Sequence, residues 1–271
     1  MLNSDTKLYA LFGDPVAHSL GPVMHNAAFC AEKINAVYLS FRVKNIKQAV
    51  DAIKTLNIKG ASITIPHKEA VIPFLDELDG PVLGMGAVNT IVNRDGKLFG
   101  YNTDCMGAVD PLLRICDLKA KRVVVLGAGG AARAVAFGVK QKGAELFIVN
   151  RSRERGENMA REMGGTTISM EDLKNINPEI IVNATSIGMV PGVDALPLDP
   201  GILKTHMVVM DIVYTPVRTA LIKAAAEKGC VVIDGLEMFV NQGAAQFELF
   251  TSQVAPRQIM KLSLIKAIEK R

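Results

Sequence analysis

Lys121-Arg122-Val123-Val124-Val125-Leu126-Gly127-Ala128-Gly129-Gly130-Ala131-Ala132-Arg133-Ala134 is the stretch on which the reading of the fold turns. A short apolar run enters a glycine turn and leaves as an alanine-rich helix, the order of a buried strand feeding a helix in an α/β sheet. Gly127 to Ala132 fits the spacing G-x-G-x-x-G/A. The first glycine makes the turn, the second lets the backbone approach a pyrophosphate, and the small last residue packs helix against strand. The amino end of that helix then faces the phosphates. A glycine turn that serves packing alone is the plainer alternative.

The next strand, Glu145 to Asn150, runs into Asn150-Arg151-Ser152-Arg153-Glu154-Arg155. A protein that binds NAD usually has an Asp or Glu here for the ribose hydroxyls, and this chain has none. Arg151 and Arg155 offer planar cations to a 2′-phosphate instead, which points to NADP. A solvated basic turn is the alternative. Further strands at Glu179 to Asn183, Met207 to Val213 and Cys230 to Asp234 complete a doubly wound unit, and the residues after Gly235 read as helical to the end.

Upstream, strand and helix patterns alternate: Lys7 to Phe12, Pro22 to Ile34, Val37 to Val43, Ile46 to Leu56 and Ala61 to Ile65. This predicts a mostly parallel sheet covered by helices. Val88 to Asn93 and Lys97 to Tyr101, separated by Arg94-Asp95-Gly96, read as a hairpin closing that unit. With 271 residues the chain exceeds the usual size of one core, so two α/β domains are expected, with a boundary near Asp104.

Composition narrows the function classes. Hydrophobic residues at 49% and charged residues at 21% are ordinary globular usage and exclude a disordered chain. A net charge of +4, spread along the chain without a basic run, favours small anions over nucleic acid. Cys30, Cys105, Cys116 and Cys230 show no C-x-x-C spacing and no matched histidines, so neither a metal site nor a disulfide framework is expected. His18 and His25 stand seven apart and form no metal pair. No apolar run reaches the length of a membrane span and Met1 to Phe12 lacks a signal-peptide core, so a soluble cytoplasmic protein, not membrane-bound, is expected.

Reduction of a ketone needs a proton donor opposite the hydride donor. Lys68 follows the strand Ala61 to Ile65 and so stands at a strand's carboxyl end, where open α/β sheets bind ligands; a solvated lysine is the alternative. Asp104, at the end of Tyr101-Asn102-Thr103-Asp104, reads equally as a partner for Lys68 or as a cap for the helix Cys105 to Cys116. In Gly13-Asp14-Pro15-Val16-Ala17-His18-Ser19-Leu20-Gly21-Pro22 we expect Gly21 as N-cap and Pro22 as first helical residue, with Ser19 and free amides open to a carboxylate or occupied in capping.

Taken together, these motifs resemble the shikimate/quinate dehydrogenase family along almost the whole chain. The matches are Gly13 to Ser19, Thr64 to Lys68, Gly86-Ala87-Val88-Asn89-Thr90, Asn102-Thr103-Asp104, Gly127 to Ala131, Asn150-Arg151-Ser152, Asn183 to Met189, Asp211 to Pro216, and Gly235-Leu236-Glu237-Met238 followed by Gln242. The resemblance implies NADPH-dependent, reversible reduction of 3-dehydroshikimate to shikimate, on the route to chorismate and the aromatic amino acids. It implies a substrate domain of residues 1–104 with 236–271 and a Rossmann-like NADP domain of residues 105–235, in a monomer or homodimer, flanking a cleft. Lys68 and Asp104 would be catalytic. Ser19, Gly21, Thr64, Asn89, Thr103, Tyr214 and Gln242 would meet the substrate. Gly127, Ala128, Gly129, Gly130, Ala131, Asn150, Arg151, Ser152, Arg155, Thr185, Ile212 and Gly235 would hold NADP.

Two positions depart from the family pattern. Gly21 stands where a second serine is usual; its lost hydroxyl should cost on the order of 1.5–3 kcal/mol of carboxylate binding and opens room for quinate. Ser62 stands where Asn is usual, in the strand leading to Lys68. A quinate or dual quinate/shikimate dehydrogenase, and a non-catalytic NADP-binding regulator, are the competing readings.

Overall fold

The computed structural model describes residues 2–270. They divide into two compact units, one running to residue 103 and resuming at 240, the other residues 104–239.

The first unit begins β1 (Lys7–Gly13), α1 (Gly21–Ala31), β2 (Ala36–Arg42), α2 (Ile46–Thr55) and β3 (Gly60–Ile63), then β4 (Glu77–Leu78), α3 (Gly80–Met85), β5 (Thr90–Arg94) and β6 (Lys97–Tyr101). The sheet order is β2-β1-β3-β5-β6-β4. β1 pairs in parallel with β2 and β3, β5 is antiparallel to β3 and β6, and β4 is parallel to β6. Five strands therefore share one direction and β5 alone opposes them. Its core joins Ala10 and Phe12 of β1, Ile53 of α2, Ala61 and Ile63 of β3 and Ile91 of β5.

The second unit contains α4 (Asp104–Leu113), β7 (Arg122–Leu126), α5 (Gly130–Gln141), β8 (Glu145–Val149), α6 (Arg153–Met163), β9 (Thr166–Thr167), α7 (Leu173–Ile176), β10 (Ile180–Asn183), β11 (Val208–Asp211), α8 (Ala220–Glu227) and β12 (Val231–Ile233). Its sheet is parallel throughout, in the order β12-β11-β10-β7-β8-β9. Val123 and Val125 pack on one face with Val109, Val135 and Met159 of α4, α5 and α6. Val124 and Leu126 face the opposite core with Leu173 and Leu221 of α7 and α8. Strand alternation thus feeds two helix layers, which is why these strands read as unbroken apolar runs. The chain then runs through α9 (Gly235–Thr251), which crosses the division between the units, and ends in α10 (Arg257–Glu269). No helix among the described residues is long and apolar enough to cross a membrane.

Four expectations need correction. Leu20, not Gly21, caps α1: its carbonyl accepts the first helical bond from Met24 N–H at 3.1 Å, so Gly21 and Pro22 are the first two helical residues. β3 stops at Ile63, before the turn in which His67 N–H reaches Thr64 O at 2.9 Å. The hairpin strand starts at Thr90 instead of Val88, and its turn is Asp95-Gly96 alone, both at positive φ, with Arg94 paired to Lys97. That is the two-residue turn whose twist matches a hairpin. Finally, the C-terminal region is two helices. Ser252 at φ 58° ends α9 and Pro256 stands just before α10, a residue that disfavours helix immediately upstream of itself.

Candidate active site

In the second unit the nucleotide turn lies at the switch point between β7 and β10, where the sheet order reverses. Gly127 has φ +112°, and a Cβ there would stand 3.0 Å from Ala184 O and 3.2 Å from Thr185 Cγ2. Only glycine accepts that conformation at low cost. Gly129 is the N-cap of α5 and a Cβ on it would meet nothing within 4 Å. No side chain caps α5 and its first turn carries no acidic residue, so Gly130 and Ala131 open a helix end suited to an anion. Ala128 bridges the two glycines. This cradle fits a dinucleotide pyrophosphate.

At the end of β8, Asn150 Nδ2 donates to Ser152 O at 2.8 Å, and Ser152 Oγ accepts from Arg155 N–H at 3.4 Å as the N-cap of α6. Asn150 and Ser152 therefore shape the turn, while Arg151 and Arg155 are exposed. Arg153 is held by Glu157 at 2.8 Å, whereas neither Arg151 nor Arg155 meets a carboxylate among the described residues. Two uncommitted guanidinium groups beside the turn fit the extra phosphate of NADP.

Thr185 and Ile212 follow β10 and β11, and a buried polar network sets their loops. Asn183 Oδ1 accepts from Thr185 N–H and Oγ1 at 3.1 and 2.7 Å, while Asn183 Nδ2 donates to Asp211 Oδ1 at 2.9 Å. Asp211 also accepts from Val213 N–H at 3.0 Å and from Thr219 Oγ1 at 2.6 Å. Burial pushes the Asp211 carboxyl above its ordinary range, opposed by those donors. Gly235 starts α9 against this loop: a Cβ would come within 2.3 Å of Val213 O, so its smallness is needed for backbone packing. Tyr214 stacks on Phe239, centroids 4.3 Å apart. Asp104 is the first residue of α4.

In the first unit the assigned side chains come from four connections that share one end of the sheet. Ser19 follows β1, Thr64 and Lys68 follow β3, Asn89 precedes the reversed β5, and Thr103 follows β6. The register fixes this: Ser62 faces Thr90 and Thr90 faces Tyr101. Asp14 N–H donates to Ile65 O at 2.9 Å, tying the Ser19 loop to the Lys68 turn, and Val88 N–H donates to Lys68 O at 2.8 Å. Thr103 N–H donates to Asn89 Oδ1 at 2.8 Å and Asn89 Nδ2 donates to Thr103 Oγ1 at 3.0 Å. Gly21 N–H donates to Ser19 Oγ at 3.2 Å. A Cβ on Gly21 would lie 3.3 Å from Ser19 Oγ and 3.7 Å from Tyr38 Oη. Gln242 lies buried on α9.

Ser62, at the position where Asn is usual, is itself hydrogen-bonded. Its Oγ accepts from Tyr38 Oη at 2.6 Å and donates to Gln246 Oε1 at 2.9 Å, so the shorter side chain is built into a buried network that the sequence reading did not single out. Gln246 carried a signal: it stands four residues after Gln242, on the same helix face, and is polar within an apolar run. Asn183 and Asp211, polar ends of apolar strands, carried a comparable one.

Three family models match this chain. Residues 11–91 match the shikimate dehydrogenase substrate binding domain, 112–189 the shikimate / quinate 5-dehydrogenase model and 235–261 the shikimate 5′-dehydrogenase C-terminal domain. Among curated relatives, shikimate dehydrogenase (NADP(+)) of Pyrococcus furiosus is 42% identical over 96% of each chain. The bifunctional chloroplastic 3-dehydroquinate dehydratase/shikimate dehydrogenase of Arabidopsis thaliana is 43% identical over 95% of this chain, which spans 46% of that longer protein. A solved shikimate dehydrogenase in complex with NADP+ superposes with a TM-score of 0.94 at 40% identity, covering 99% of this chain and 98% of the other.

Proposed function

The chain belongs to the shikimate dehydrogenase family, and on that premise we propose how its residues divide the work of reducing 3-dehydroshikimate to shikimate. The protein is an NADP-dependent oxidoreductase acting on a CH–OH group, in the route to chorismate and the aromatic amino acids.

NADPH, when bound, supplies the hydride that becomes the new C–H bond. The Lys68 ammonium gives a proton to the carbonyl oxygen as negative charge develops there, and takes it back when shikimate is oxidised. Asp104 accepts a hydrogen bond from the neighbouring ring hydroxyl and orients the ring. Ser19, Thr64, Asn89, Thr103, Tyr214 and Gln242 bind the carboxylate and the remaining hydroxyls. The backbone from Gly127 to Ala131 holds the pyrophosphate, Arg151 and Arg155 the 2′-phosphate, and Thr185, Ile212 and Gly235 border the nicotinamide. In this reading residues 1–104 with 236–271 serve substrate and 105–235 serve NADP.

The observation that carries the assignment is the convergence of Ser19, Thr64, Lys68, Asn89 and Thr103, from four separate connections, on one end of one sheet. A folding requirement alone would not collect two threonines, a serine, an asparagine and a lysine there. A cytoplasmic location belongs to the same proposal and rests on the free thiols of Cys30, Cys105, Cys116 and Cys230, the state a reducing compartment maintains.

Quinate is a second substrate in this reading, because Gly21 offers no hydroxyl beside Ser19 and Tyr38, where a Cβ would already stand 3.3 Å from Ser19 Oγ. The test is kcat/KM for shikimate and quinate, each with NADP+ and NAD+, in the wild type and in Gly21→Ser. Shikimate with NADP+ should give the highest value, and the serine should raise the shikimate-to-quinate ratio. An unchanged ratio removes the role given to Gly21, and a wild type that prefers NAD+ removes the role given to Arg151 and Arg155.

A further inference from the structure

Gln246 of α9 is 3% exposed and uses both ends of its carboxamide. Its Oε1 accepts from Ser62 Oγ at 2.9 Å and from His25 Nε2 at 3.3 Å. Its Nε2 donates to Thr90 Oγ1 at 3.0 Å and to the Asn89 carbonyl at 3.3 Å. Thr90 Oγ1, accepting from Gln246, sends its own proton to Asn89 Oδ1 at 2.7 Å. The hydroxyls therefore point one way along a buried relay: Tyr38 to Ser62 to Gln246, and Gln246 to Thr90 to Asn89.

That direction matters at its last member. Asn89 Oδ1 receives the Thr90 hydroxyl and the Thr103 amide together. Exchanging its oxygen and nitrogen would set an N–H₂ against the Thr103 amide donor in a site where Asn89 is 2% exposed and Thr90 fully buried. A buried donor facing a donor loses both hydrogen bonds and regains none from water. The Thr103 N–H, a backbone donor that cannot turn, sets the sense of the Asn89 carboxamide, and the Thr90 hydroxyl adds a second bond that holds it there.

We propose that Gln246, acting through Thr90, is the positioning residue that steadies the Asn89 carboxamide in the sense the Thr103 amide sets, and thereby tunes affinity for the hydroxy-acid substrate. The inference rests on the proposed function, in which Asn89 meets substrate and Gln246 and Thr90 act through it. Ser62, which accepts from Tyr38 Oη, spends its own proton on Gln246 Oε1 and so supports Gln246 in this sense. A serine where Asn is usual is then part of one consistent set, together with Gln246.

The experiment compares KM and kcat for shikimate, at saturating NADP+, in the wild type and in Asn89→Ala, Gln246→Met, Thr90→Val and Thr90→Ser, with a thermal melt for each. Gln246→Met and Thr90→Val keep volume and remove the relay. Thr90→Ser keeps the hydroxyl. The expected result is a rise in shikimate KM of about five- to tenfold for Gln246→Met and Thr90→Val, the worth of roughly one hydrogen bond. The KM for NADP+ and kcat should stay within about twofold, and Thr90→Ser should restore the wild-type value. A purely structural role would lower the melting temperature and leave shikimate KM alone, and that outcome overturns the proposal if Asn89→Ala raises KM. Asn89→Ala without effect overturns the assignment of Asn89 and the proposal with it, while a wild type inactive on shikimate overturns the family reading itself. Should Gln246→Met fail to fold, the Thr90 pair decides the matter alone.

Discussion

Lowering the pH should destabilise the first unit through one side chain, His25 of α1. The residue is 1% exposed, its ring stacked on Tyr38 at 4.4 Å and 16°, with Phe29 and Phe250 at 6.4 and 5.9 Å. Nε2 donates to Gln246 Oε1 at 3.3 Å, so a second proton has to add at Nδ1, which is buried without a hydrogen-bond partner. Burial lowers the pKa from its ordinary 6.5 to about 4, with the Gln246 bond opposing the shift. Between those two values the unfolded chain binds the proton and the folded chain does not. The effect is therefore absent above pH 6.5, grows as pH falls, and saturates below about 4. Linkage gives a loss of about 2 kcal/mol at pH 5 and about 3 kcal/mol at pH 4. Urea unfolding followed by tyrosine signals reads mainly this unit, since the chain has no Trp and Tyr9, Tyr38 and Tyr101 of its four tyrosines lie there. His25→Phe keeps a ring in the slot and removes the titration. The wild type should lose about 2 kcal/mol more than the variant between pH 7 and pH 5. Parallel pH dependence in the two proteins, or a His25 ring resonance in the folded wild type that titrates near 6.5, would refute the reasoning.

The two glycines of the nucleotide turn should separate stability from binding. Gly127→Ala places a residue at φ +112° with its Cβ 3.0 Å from a carbonyl oxygen, and should lose about 1–3 kcal/mol of stability as well as NADP+ affinity. Gly129→Ala, whose Cβ points into open space, should melt like the wild type and still bind NADP+ at least tenfold more weakly in a fluorescence titration; equal affinity would show that the backbone there is not approached by the pyrophosphate. The double variant Arg151→Ala/Arg155→Ala should raise KM for NADP+ by about 10- to 100-fold, the worth of charge-assisted bonds of about 1.5–3 kcal/mol, and leave KM for NAD+ nearly unchanged. A parallel rise with both nucleotides would assign those arginines a structural role.

The fold was legible wherever one element carried its own signal. β7 and the turn after it announced themselves because a strand buried on both faces has no polar alternation and because Gly127 needs a conformation that few residues accept. Apart from β4 and β9, the strands of both sheets were placed within one or two residues. What escaped was short or cooperative. β4 and β9 have two residues each, too few for any period to show. The cap of α1 was misplaced by one because Gly and Pro both suit either of two adjacent positions and only the carbonyl of Leu20 decides between them. At the site, Thr64 and Asn89 came only from the family resemblance, whereas Lys68 was singled out because it follows a strand. Gln246, Thr90, Tyr38 and His25 were not, because a hydrogen-bond relay between β2, β3, β5, α1 and α9 depends on packing that no local window contains. The bond between Asp211 and Thr219 was hidden in the same way, its partners eight residues apart and joined only by the fold.

The account stands most directly on Lys68, and initial rates of shikimate oxidation with NADP+ in the wild type and in folded Lys68→Ala test it. The variant should lose at least about 100-fold in kcat, the usual contribution of a positioned proton-transfer group, while its NADP+ affinity and melting temperature stay close to the wild type. Near wild-type turnover from a folded Lys68→Ala would contradict it.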